Sequence, residues 1–399
     1  MTSESVVRGR VVTPRGVIDD GAVVLEGATI RWVGPAAEVP GAPPSGPPAD
    51  DGRLVLPGLV DLHCHGGGGA SFPDAETPGD ALRAVHEHRR HGTTSLVASL
   101  VTAAPETLRS RVALLAGLAD AGEIAGVHLE GPFLSVVRCG AQDPALIIEP
   151  DPALTTQLLE LGGGHVVTMT VAPEHAGNRD GVAAALVAGG ALPSWGHTDA
   201  GPGDTRAALE AGAALLGAAD GPRSARATVT HLFNGMHPLH HRDPGPIGEF
   251  LAAARRGDAV VELIADGTHL HPELVREVYE LVGRDGIVLV TDAMAAAGMP
   301  DGAYRLGSQD VTVAGGVARL TVGESIAGGT AHLLDVVRTT VAGGVPLVDA
   351  VYMASTGPAR VLGDAGVGAL EAGRRADLIV TDAGLRPLRV VRHGQEVTV

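Results

Sequence analysis

Hydrophobic and polar positions change their pattern near Leu54. From there on, short apolar runs alternate with windows in which apolar residues recur at helical spacing, such as residues 79–91 and 272–282. Alternation of this kind is typical of an α/β fold with parallel strands. The apolar runs lie at residues 55–62, 95–100, 126–129, 166–171, 192–196, 228–232, 260–265 and 287–291. Eight such runs predict a (β/α)8 TIM-type barrel.

The two ends of the chain carry a different pattern, of short β-type runs separated by turn signals. These runs lie at residues 6–12, 22–25, 29–33, 377–381 and 389–399. Residues 40–51 are rich in Pro, Gly and Ala, as linkers are. We therefore expect a small discontinuous β-sandwich domain of residues 1–55 and 365–399, joined to a barrel of residues 56–364. Before the last runs, the pattern predicts a hairpin at 304–322 and helices at 330–342 and 347–362.

Composition narrows the class of protein. The chain has 399 residues and a formal net charge of −17, so we expect neither a nucleic-acid partner nor an anionic membrane surface. No apolar run is long enough to span a bilayer, and residues 1–9 lack the apolar core of a signal peptide. The two cysteines are too few for a disulfide framework, and we expect a cytoplasmic protein.

Lysine is absent from the sequence. This absence excludes Schiff-base chemistry, a P-loop lysine and a carbamylated lysine that bridges two metals. A bridge between two metals in this protein must therefore be a carboxylate.

The first predicted barrel strand ends in His63, Cys64 and His65. Alternate side chains of a strand share a face, so the two imidazoles point together while Cys64 points away. Neutral imidazole is the commonest metal ligand in proteins, and such a pair forms half of a metal site. A hydrogen-bonded histidine pair at a strand end explains the motif equally well. Whether the pair belongs to a metal site therefore depends on the residues at the other strand ends.

Polar residues do recur at the other predicted strand ends, where the catalytic residues of such barrels lie. They are His128 and Glu130, His197, His231 and Asn234, Asp266 and His269, and Asp292. Imidazoles together with one carboxylate are the ligands of a zinc-type hydrolytic centre. Each residue alone, such as Glu130, His197 or His231, fits a structural role, but the repetition favours a metal site of two or three imidazoles and one carboxylate. We expect His128 to lie behind it.

Two further residues are candidates for chemistry. A metal lowers the pKa of a bound water to about 7, and a neighbouring carboxylate such as Asp292 can move its proton to a leaving nitrogen. Helix capping is the competing role for Asp292, and capping or support of the site suits Asp266 and Asp199. Arg242, in a Gly/Pro-bounded loop after the sixth strand, could bind a phosphate through two parallel hydrogen bonds, or be an ordinary surface arginine.

Five motifs together resemble the N-acetylglucosamine-6-phosphate deacetylases of the amidohydrolase superfamily. They are HLEGPF at 128–133, GHT at 196–198, THLFNGM at 230–236, ADGTH at 265–269 and VTDAM at 290–294. The resemblance implies Glu130, His197 and His231 as principal metal ligands and Asp292 as general base and acid. It implies a divalent metal, most simply Zn²⁺, with Fe²⁺, Mn²⁺ and Co²⁺ as alternatives.

The same resemblance suggests how a substrate is held. His63 and His65 would hold a second metal bridged by Glu130, giving one or two metals per chain. His269, Asn234 and Gly235 would bind the sugar, and Arg242 would bind its phosphate across a homodimer interface.

Three positions depart from the family pattern. Gln142, which follows Ala141, stands where the family has a histidine that contacts the acetyl group, and it can form a hydrogen bond but carries no charge. We expect Ala141 and Gln142 to line the substrate site. Cys139 replaces a residue that is often basic, and Gly329 replaces a serine.

The sequence thus predicts hydrolysis of N-acetylglucosamine 6-phosphate to glucosamine 6-phosphate and acetate. Deacylation of a different N-acyl amino sugar is an alternative, because Gln142 could alter specificity. A non-catalytic sugar-phosphate-binding protein is another alternative.

Overall fold

The structure is a computed structural model that describes residues 4–41, 52–323 and 325–398. Its strands, in chain order, are β1 (Glu4–Thr13), β2 (Gly16–Glu26), β3 (Thr29–Pro35), β4 (Leu54–Pro57), β5 (Leu59–Cys64), β6 (Gly66–Gly67), β7 (Ala70–Ser71), β8 (Thr93–Leu100), β9 (Gly126–Glu130), β10 (Val166–Val171), β11 (Leu192–Trp195), β12 (Ala227–Val229), β13 (Ala259–Leu263), β14 (Ile287–Leu289), β15 (Gly302–Leu306), β16 (Gln309–Ala314), β17 (Val317–Leu320), β18 (Leu378–Thr381), β19 (Pro387–Arg392) and β20 (Gln395–Val397). The α-helices are α1 (Pro78–Arg90), α2 (Pro105–Asp120), α3 (Pro152–Leu161), α4 (Ala183–Ala188), α5 (Pro202–Ala218), α6 (Ile247–Arg256), α7 (Pro272–Val282), α8 (Leu333–Ala342), α9 (Leu347–Met353) and α10 (Thr356–Leu362). Most of the predicted linker, residues 42–51, lies outside the described residues.

The predicted (β/α)8 barrel is confirmed. Strand β5 and strands β8 to β14 pair in chain order as one parallel sheet. Every residue of these strands is buried, as expected for parallel strands that are covered by helices on one face and fill the barrel interior with the other. Because the strands are parallel, their carboxyl ends form one rim.

The first and last barrel strands meet just beyond their ends. The backbone N–H of Asp292 donates to the carbonyl of His63 at 2.8 Å, and the N–H of His65 donates to the carbonyl of Ala293 at 2.7 Å. These bonds fix the segment after β14 beside the carboxyl end of β5. Two polar stretches more than 200 residues apart are thereby brought together at the rim.

Strands from both ends of the chain form a separate seven-stranded sheet, in the order β20-β19-β18-β4-β1-β2-β3. Strand β4 lies inside it, parallel to β1 and antiparallel to β18. Successive side chains of β4 point to opposite faces, so Val55 joins the sheet's own apolar cluster while Leu54 and Leu56 join the barrel core. The sheet is thus attached to the barrel through a shared apolar face.

The predicted first barrel strand at 55–62 is in fact two strands, and that prediction was wrong. Strand β4 belongs to the terminal sheet, and the barrel strand β5 begins only at Leu59. The chain passes between the two sheets at Gly58, where a Cβ would lie 2.2 Å from Oγ1 of Thr94. An apolar run does not reveal this change of sheet, because both strands are buried.

Two further predicted elements are divided. The hairpin predicted at 304–322 is a three-stranded sheet of β15, β16 and β17. The helix predicted at 347–362 is α9 followed by α10, because Pro358 lacks a backbone N–H and is accommodated only in the first turn of a helix. Within the described residues, no helix combines the length and the apolar character that crossing a membrane requires.

Candidate metal centre and cleft

Three side chains from three strand ends meet at one carboxylate oxygen. Oε1 of Glu130, the last residue of β9, lies 2.9 Å from Nε2 of His197 and 2.8 Å from Nε2 of His231. The two imidazole nitrogens are 3.1 Å apart. All three residues are buried. We call them the first cradle.

A second group lies directly beside the first. Nε2 of His63 and Nε2 of His65 are 3.0 Å apart, and Oδ1 of Asp292 is 3.3 Å from the former and 3.2 Å from the latter. We call His63, His65 and Asp292 the second cradle. Oε2 of Glu130 lies 3.2 Å from Nε2 of His65, so this carboxylate stands between the two cradles. Cys64 points away, and its Sγ lies 3.3 Å from Nε2 of His88.

The donor set fits a divalent metal. Nδ1 of His65 lies 3.2 Å from the carbonyl of Ser99, and Nδ1 of His197 lies 2.8 Å from the carbonyl of Arg138. A carbonyl only accepts, so each Nδ1 carries the proton and each Nε2 presents a lone pair to its cradle. In these two rings, a lone pair on Nε2 therefore faces a carboxylate oxygen of Glu130. Bonds of about 2.0–2.1 Å from one tetrahedral ion would place its ligands roughly 3.3 Å apart, close to the separations in both cradles.

The pKa shifts also favour positive charge in the second cradle. Burial disfavours the protonated imidazoles of His63 and His65, but the neighbouring carboxylates of Asp292 and Glu130 prevail and raise the pKa of both rings. Burial likewise disfavours the ionised form of Asp292, yet His63 and His65 lower its pKa to about 2. Asp292 is therefore a carboxylate at neutral pH.

The backbone is strained at three of these residues. His197, His231 and Asp292 have φ values of 47°, 27° and 47°, in the left-handed region that side chains other than glycine rarely adopt. Strain of this kind costs about 1–3 kcal/mol per residue and persists where the surrounding structure enforces it. Here it turns the side chains inward from the ends of their strands.

The cradles open into a cleft of about 250 Å³. Ten predicted site residues line it, namely His65, Glu130, Ala141, Gln142, His197, His231, Asn234, Gly235, His269 and Asp292. His63 lies below the surface of the cleft, fully buried against His65. Arg242 is the remaining predicted residue, and it is exposed on a turn outside the cleft.

Comparison with known proteins identifies the family. Residues 54–397 match the model of the amidohydrolase family. This chain belongs to the amidohydrolase family. It is 34% identical to N-acetylgalactosamine-6-phosphate deacetylase of Escherichia coli O157:H7, over 97% of both chains, and 35% identical to N-acetylglucosamine-6-phosphate deacetylase of Lysinibacillus sphaericus, over 86% of this chain and 85% of that one.

A solved structure matches the whole amidohydrolase chain. The N-acetyl-D-glucosamine-6-phosphate deacetylase of Mycobacterium smegmatis, in complex with N-acetyl-D-glucosamine-6-phosphate, superimposes with a TM-score of 0.89 at 40% identity and covers 100% of both chains. The resemblance inferred from the motifs is therefore confirmed. Membership of the family implies a divalent metal and a hydrolytic reaction, and the two cradles are candidate ligand clusters among the described residues.

Gln142 of this amidohydrolase is tied to the first cradle. Its Oε1 accepts from the backbone N–H of Thr102 at 2.8 Å, and its Nε2 donates to Oε2 of Glu130 at 2.5 Å. One amide N–H remains for the cleft that Gln142 and Ala141 line. The uncharged Gln142 therefore contacts the carboxylate between the cradles, a role that the sequence did not suggest.

Other residues that line the cleft are held by their neighbours. Nδ1 of His269 lies 2.8 Å from Oδ2 of Asp266, whose Oδ1 accepts two backbone N–H groups of the same turn. Burial opposes protonation of His269, but Asp266 prevails and raises its pKa. Gly235 lies against the first cradle, since a Cβ there would be 2.8 Å from Nδ1 of His197. Asn234 donates weakly to the carbonyl of His231.

Several residues of the site escaped the sequence analysis. Glu262 of β13 lies 3.1 Å from Nδ1 of His63, and Leu306 and Ile326 line the cleft. A charged residue within the apolar run 260–265 was the available signal for Glu262. His128 lies behind the cradles as expected, between Oγ of Ser99 and Oγ1 of Thr170.

The departure at Gly329 has a steric reason. A Cβ at this position would lie 2.4 Å from the carbonyl oxygen of Thr291, and the N–H of Gly329 donates to the carbonyl of Asp292 at 2.6 Å. The backbone of this loop supports the segment that carries Asp292, and a serine would push it away. Cys139 is half-buried beside Gly140, and its thiol forms no disulfide.

Proposed function

We propose that this protein is a metal-dependent deacetylase that hydrolyses N-acetylglucosamine 6-phosphate to glucosamine 6-phosphate and acetate. One observation carries the proposal: two converging cradles open into a single cleft in a chain that is 40% identical, over its full length, to an enzyme solved with this sugar phosphate. Amino-sugar catabolism is the corresponding process.

Glu130, His197 and His231 would hold the principal metal, and His63 and His65 a second one with Glu130 between them. Zn²⁺ suits two imidazoles and a carboxylate, and Fe²⁺, Mn²⁺ and Co²⁺ accept the same ligands. When bound, the metal polarises the amide carbonyl and increases the acidity of the attacking water.

Asp292 would act as general base and then as general acid. Asp292 is ionised and lines the cleft beside the first cradle, so its carboxylate can accept the proton of the attacking water at neutral pH. The same proton is then given to the amide nitrogen as the C–N bond breaks, and the leaving amine departs neutral. The left-handed backbone at Asp292 and the bond from its N–H to the carbonyl of His63 keep the carboxylate at the rim during both transfers.

The sugar would be held by the remaining lining residues. His269, fixed by Asp266, would offer Nε2 to a sugar hydroxyl, and Asn234 and Gly235 would offer polar groups in the same cleft. Ala141 and the free N–H of Gln142 would face the acyl group. The small Ala141 suits an acetyl group better than a longer chain.

Arg242 would bind the phosphate across a homodimer interface. Its position on an exposed turn outside its own cleft supports donation to a second copy. Nearby loops expose Val136, Val137 and Leu239, apolar side chains that a second copy would cover. A co-expressed mixture of Asp292→Asn and Arg242→Met chains would test this arrangement. Mixed dimers should regain activity, because one site then has both residues, and a mixture without recovery would contradict sharing.

We further propose a cytoplasmic protein with small β-domain segments at 1–55 and 365–399 and a barrel domain at 56–364. Leu56 and Pro57, the last two residues of β4, extend the small sheet just past the first boundary. The two free cysteines suit a reducing compartment.

The principal experiment is acetate release from a panel of substrates, with metal analysis of the same preparation. We expect turnover of N-acetylglucosamine 6-phosphate and much slower turnover of unphosphorylated N-acetylglucosamine. Metal-loaded protein that releases no acetate from the phosphorylated sugar would refute the proposal.

A second candidate substrate is N-acetylgalactosamine 6-phosphate, which differs in the orientation of one hydroxyl. The relative from Escherichia coli that covers 97% of this chain is a deacetylase of that sugar. The ratio of kcat/KM for the two sugars distinguishes them. A higher kcat/KM for N-acetylgalactosamine 6-phosphate would identify that sugar, and not N-acetylglucosamine 6-phosphate, as the preferred substrate.

A further inference from the structure

Glu262 is a buried carboxylate inside the barrel wall. It lies on β13, where the other residues are apolar, and only 1% of its surface is exposed. An ionised group in such a place is costly unless charged or polar partners satisfy it. Its partners belong to the two cradles. We infer that Glu262 is a positioning residue that fixes one ligand of each cradle and strengthens the binding of the second metal.

The first partner is the ring of His63. Oε2 of Glu262 lies 3.1 Å from Nδ1 of His63. A carboxylate at this distance holds the proton on Nδ1, so that Nε2 presents its lone pair to His65 and Asp292. The negative charge also makes Nε2 more basic and therefore a better metal ligand.

The second partner is the backbone of His231. The same oxygen of Glu262 accepts the N–H of His231 at 3.2 Å. His231 is strained, with φ at 27°, and its Nδ1 has no hydrogen-bond partner among the described residues. The ring is therefore not oriented through Nδ1, and the bond from the backbone N–H to Glu262 is one constraint on the position of His231.

The other two cradle histidines are supported differently. Nδ1 of His65 and Nδ1 of His197 donate to the uncharged carbonyls of Ser99 and Arg138. Among the four histidine rings of the two cradles, all of which lie in the described part of the chain, only that of His63 has a carboxylate at Nδ1. Loss of the charge on Glu262 should consequently weaken the second metal more than the first.

This inference rests on the proposed metal binding, and a metal titration tests it without the reaction. Glu262→Gln retains an oxygen that can accept from Nδ1 and from the backbone N–H but removes the charge. Loss of such a supporting group typically reduces metal affinity by roughly 10- to 100-fold. We expect that loss for the second equivalent of Zn²⁺ in chelator competition, with the first equivalent less affected.

Glu87→Gln is the matched control. Glu87 is also a buried glutamate whose carboxylate contacts an imidazole, that of His332, but it lies outside both cradles. This variant should bind both equivalents as the wild type does. The visible spectrum of the Co²⁺-loaded protein should change in Glu262→Gln and not in Glu87→Gln, which a general loss of stability would not produce.

Wild-type affinity for the second equivalent in Glu262→Gln, or a wild-type protein that binds one equivalent only, would overturn the inference. If Glu262→Gln fails to fold, Glu262→Asp is measured in its place. It keeps the charge but withdraws it by one methylene from Nδ1 of His63, so the second equivalent of Zn²⁺ should again bind more weakly than in the wild type. Failure of the proposed reaction would appear separately, as wild-type protein that binds both equivalents and releases no acetate.

Discussion

Two largely buried groups of histidines and carboxylates differ in where their ring nitrogens point. The first group is the pair of cradles at the barrel rim. The second, which we call the helix cluster, consists of Glu87, His88 and His91 at the end of α1 and His332 before α8. Glu87, His91 and His332 also place potential ligand atoms within 4.8 Å of one another. By composition alone, both groups qualify as metal sites.

Geometry separates them. In the helix cluster, the rings of His91 and His332 are stacked, with centroids 3.6 Å apart and planes inclined by 13°. Lone pairs in parallel planes do not converge on one ion. Nδ1 of His91 donates to the carbonyl of Glu87, and Nε2 of His332 lies 2.9 Å from Oε1 of Glu87. The helix cluster is therefore an ion-pair network, and the lesson is that ring direction matters more than residue type.

We expect the largest effect when a side chain of the first cradle is removed. His197→Ala removes one of the three groups of the first cradle, so the principal metal should be lost. Activity should fall to background, because carbonyl polarisation and water activation disappear together. Metal analysis and acetate release measure both. Retention of a tightly bound metal with normal turnover would contradict the assignment of the first cradle.

Asp292→Asn should separate catalysis from metal binding. The amide cannot accept the proton of water, and general acid–base catalysis typically contributes about 10²- to 10⁴-fold to the rate. We expect kcat to fall by that factor, with the principal metal retained. If Asp292→Asn turned over substrate as fast as the wild type, Asp292 would have a structural role. If neither the wild type nor Asp292→Asn turned over substrate, the protein would have a binding function instead.

The double variant His63→Ala, His65→Ala should sharpen the division between the cradles. The second metal equivalent should be lost while the first remains, because the first cradle retains its three residues. Metal stoichiometry by mass spectrometry measures this outcome. Two equivalents bound by the double variant would show that these histidines are not ligands.

His332→Leu tests the helix cluster. Removal of the imidazole leaves Oε1 of the buried Glu87 without this partner, and an unsatisfied buried group costs about 1–3 kcal/mol. The free energy of unfolding in urea should fall by that amount, while metal content stays at the wild-type value. Loss of metal in this variant would show that the helix cluster participates in binding.

The smallest effect concerns the pH dependence of stability. Burial, and then the charge of His332, lower the pKa of His88 to about 3, whereas the unfolded value is 6.5. Below pH 6.5 the unfolded chain binds a proton at His88 and the folded protein does not, so stability falls as the pH falls. At about pH 5.5, this difference in proton binding lowers the free energy of unfolding by about 1.4 kcal/mol relative to its value well above pH 6.5.

His88→Gln should remove this contribution. The glutamine keeps an N–H for the carbonyl of Gly66, which Nε2 of His88 contacts at 2.8 Å, but does not titrate. Unfolding in urea at about pH 7.5 and pH 5.5 compares the two proteins. An identical loss of stability in both would show that His88 is protonated in the folded state.

Local pattern was sufficient for the barrel and for many of the site's residues. Strand alternation predicted that His63 and His65 share a face, and the position of polar residues at strand ends predicted that they meet at one rim. It was insufficient where two buried strands follow each other, as at Gly58, because burial is the same on both sides of the break. It also missed Glu262, which looks like an isolated polar residue in an apolar strand.

The sequence by itself therefore determined that the chain forms a (β/α)8 barrel and which polar side chains follow most of its strands, because both depend on patterns of a few residues. The tertiary structure decided which nitrogen of each ring carries the proton and where its lone pair points. Those properties depend on partners such as Glu130 and His231, which are 101 residues apart in the chain. Only closure of the barrel brings such partners within 3 Å, and the cradles and the helix cluster differ for that reason.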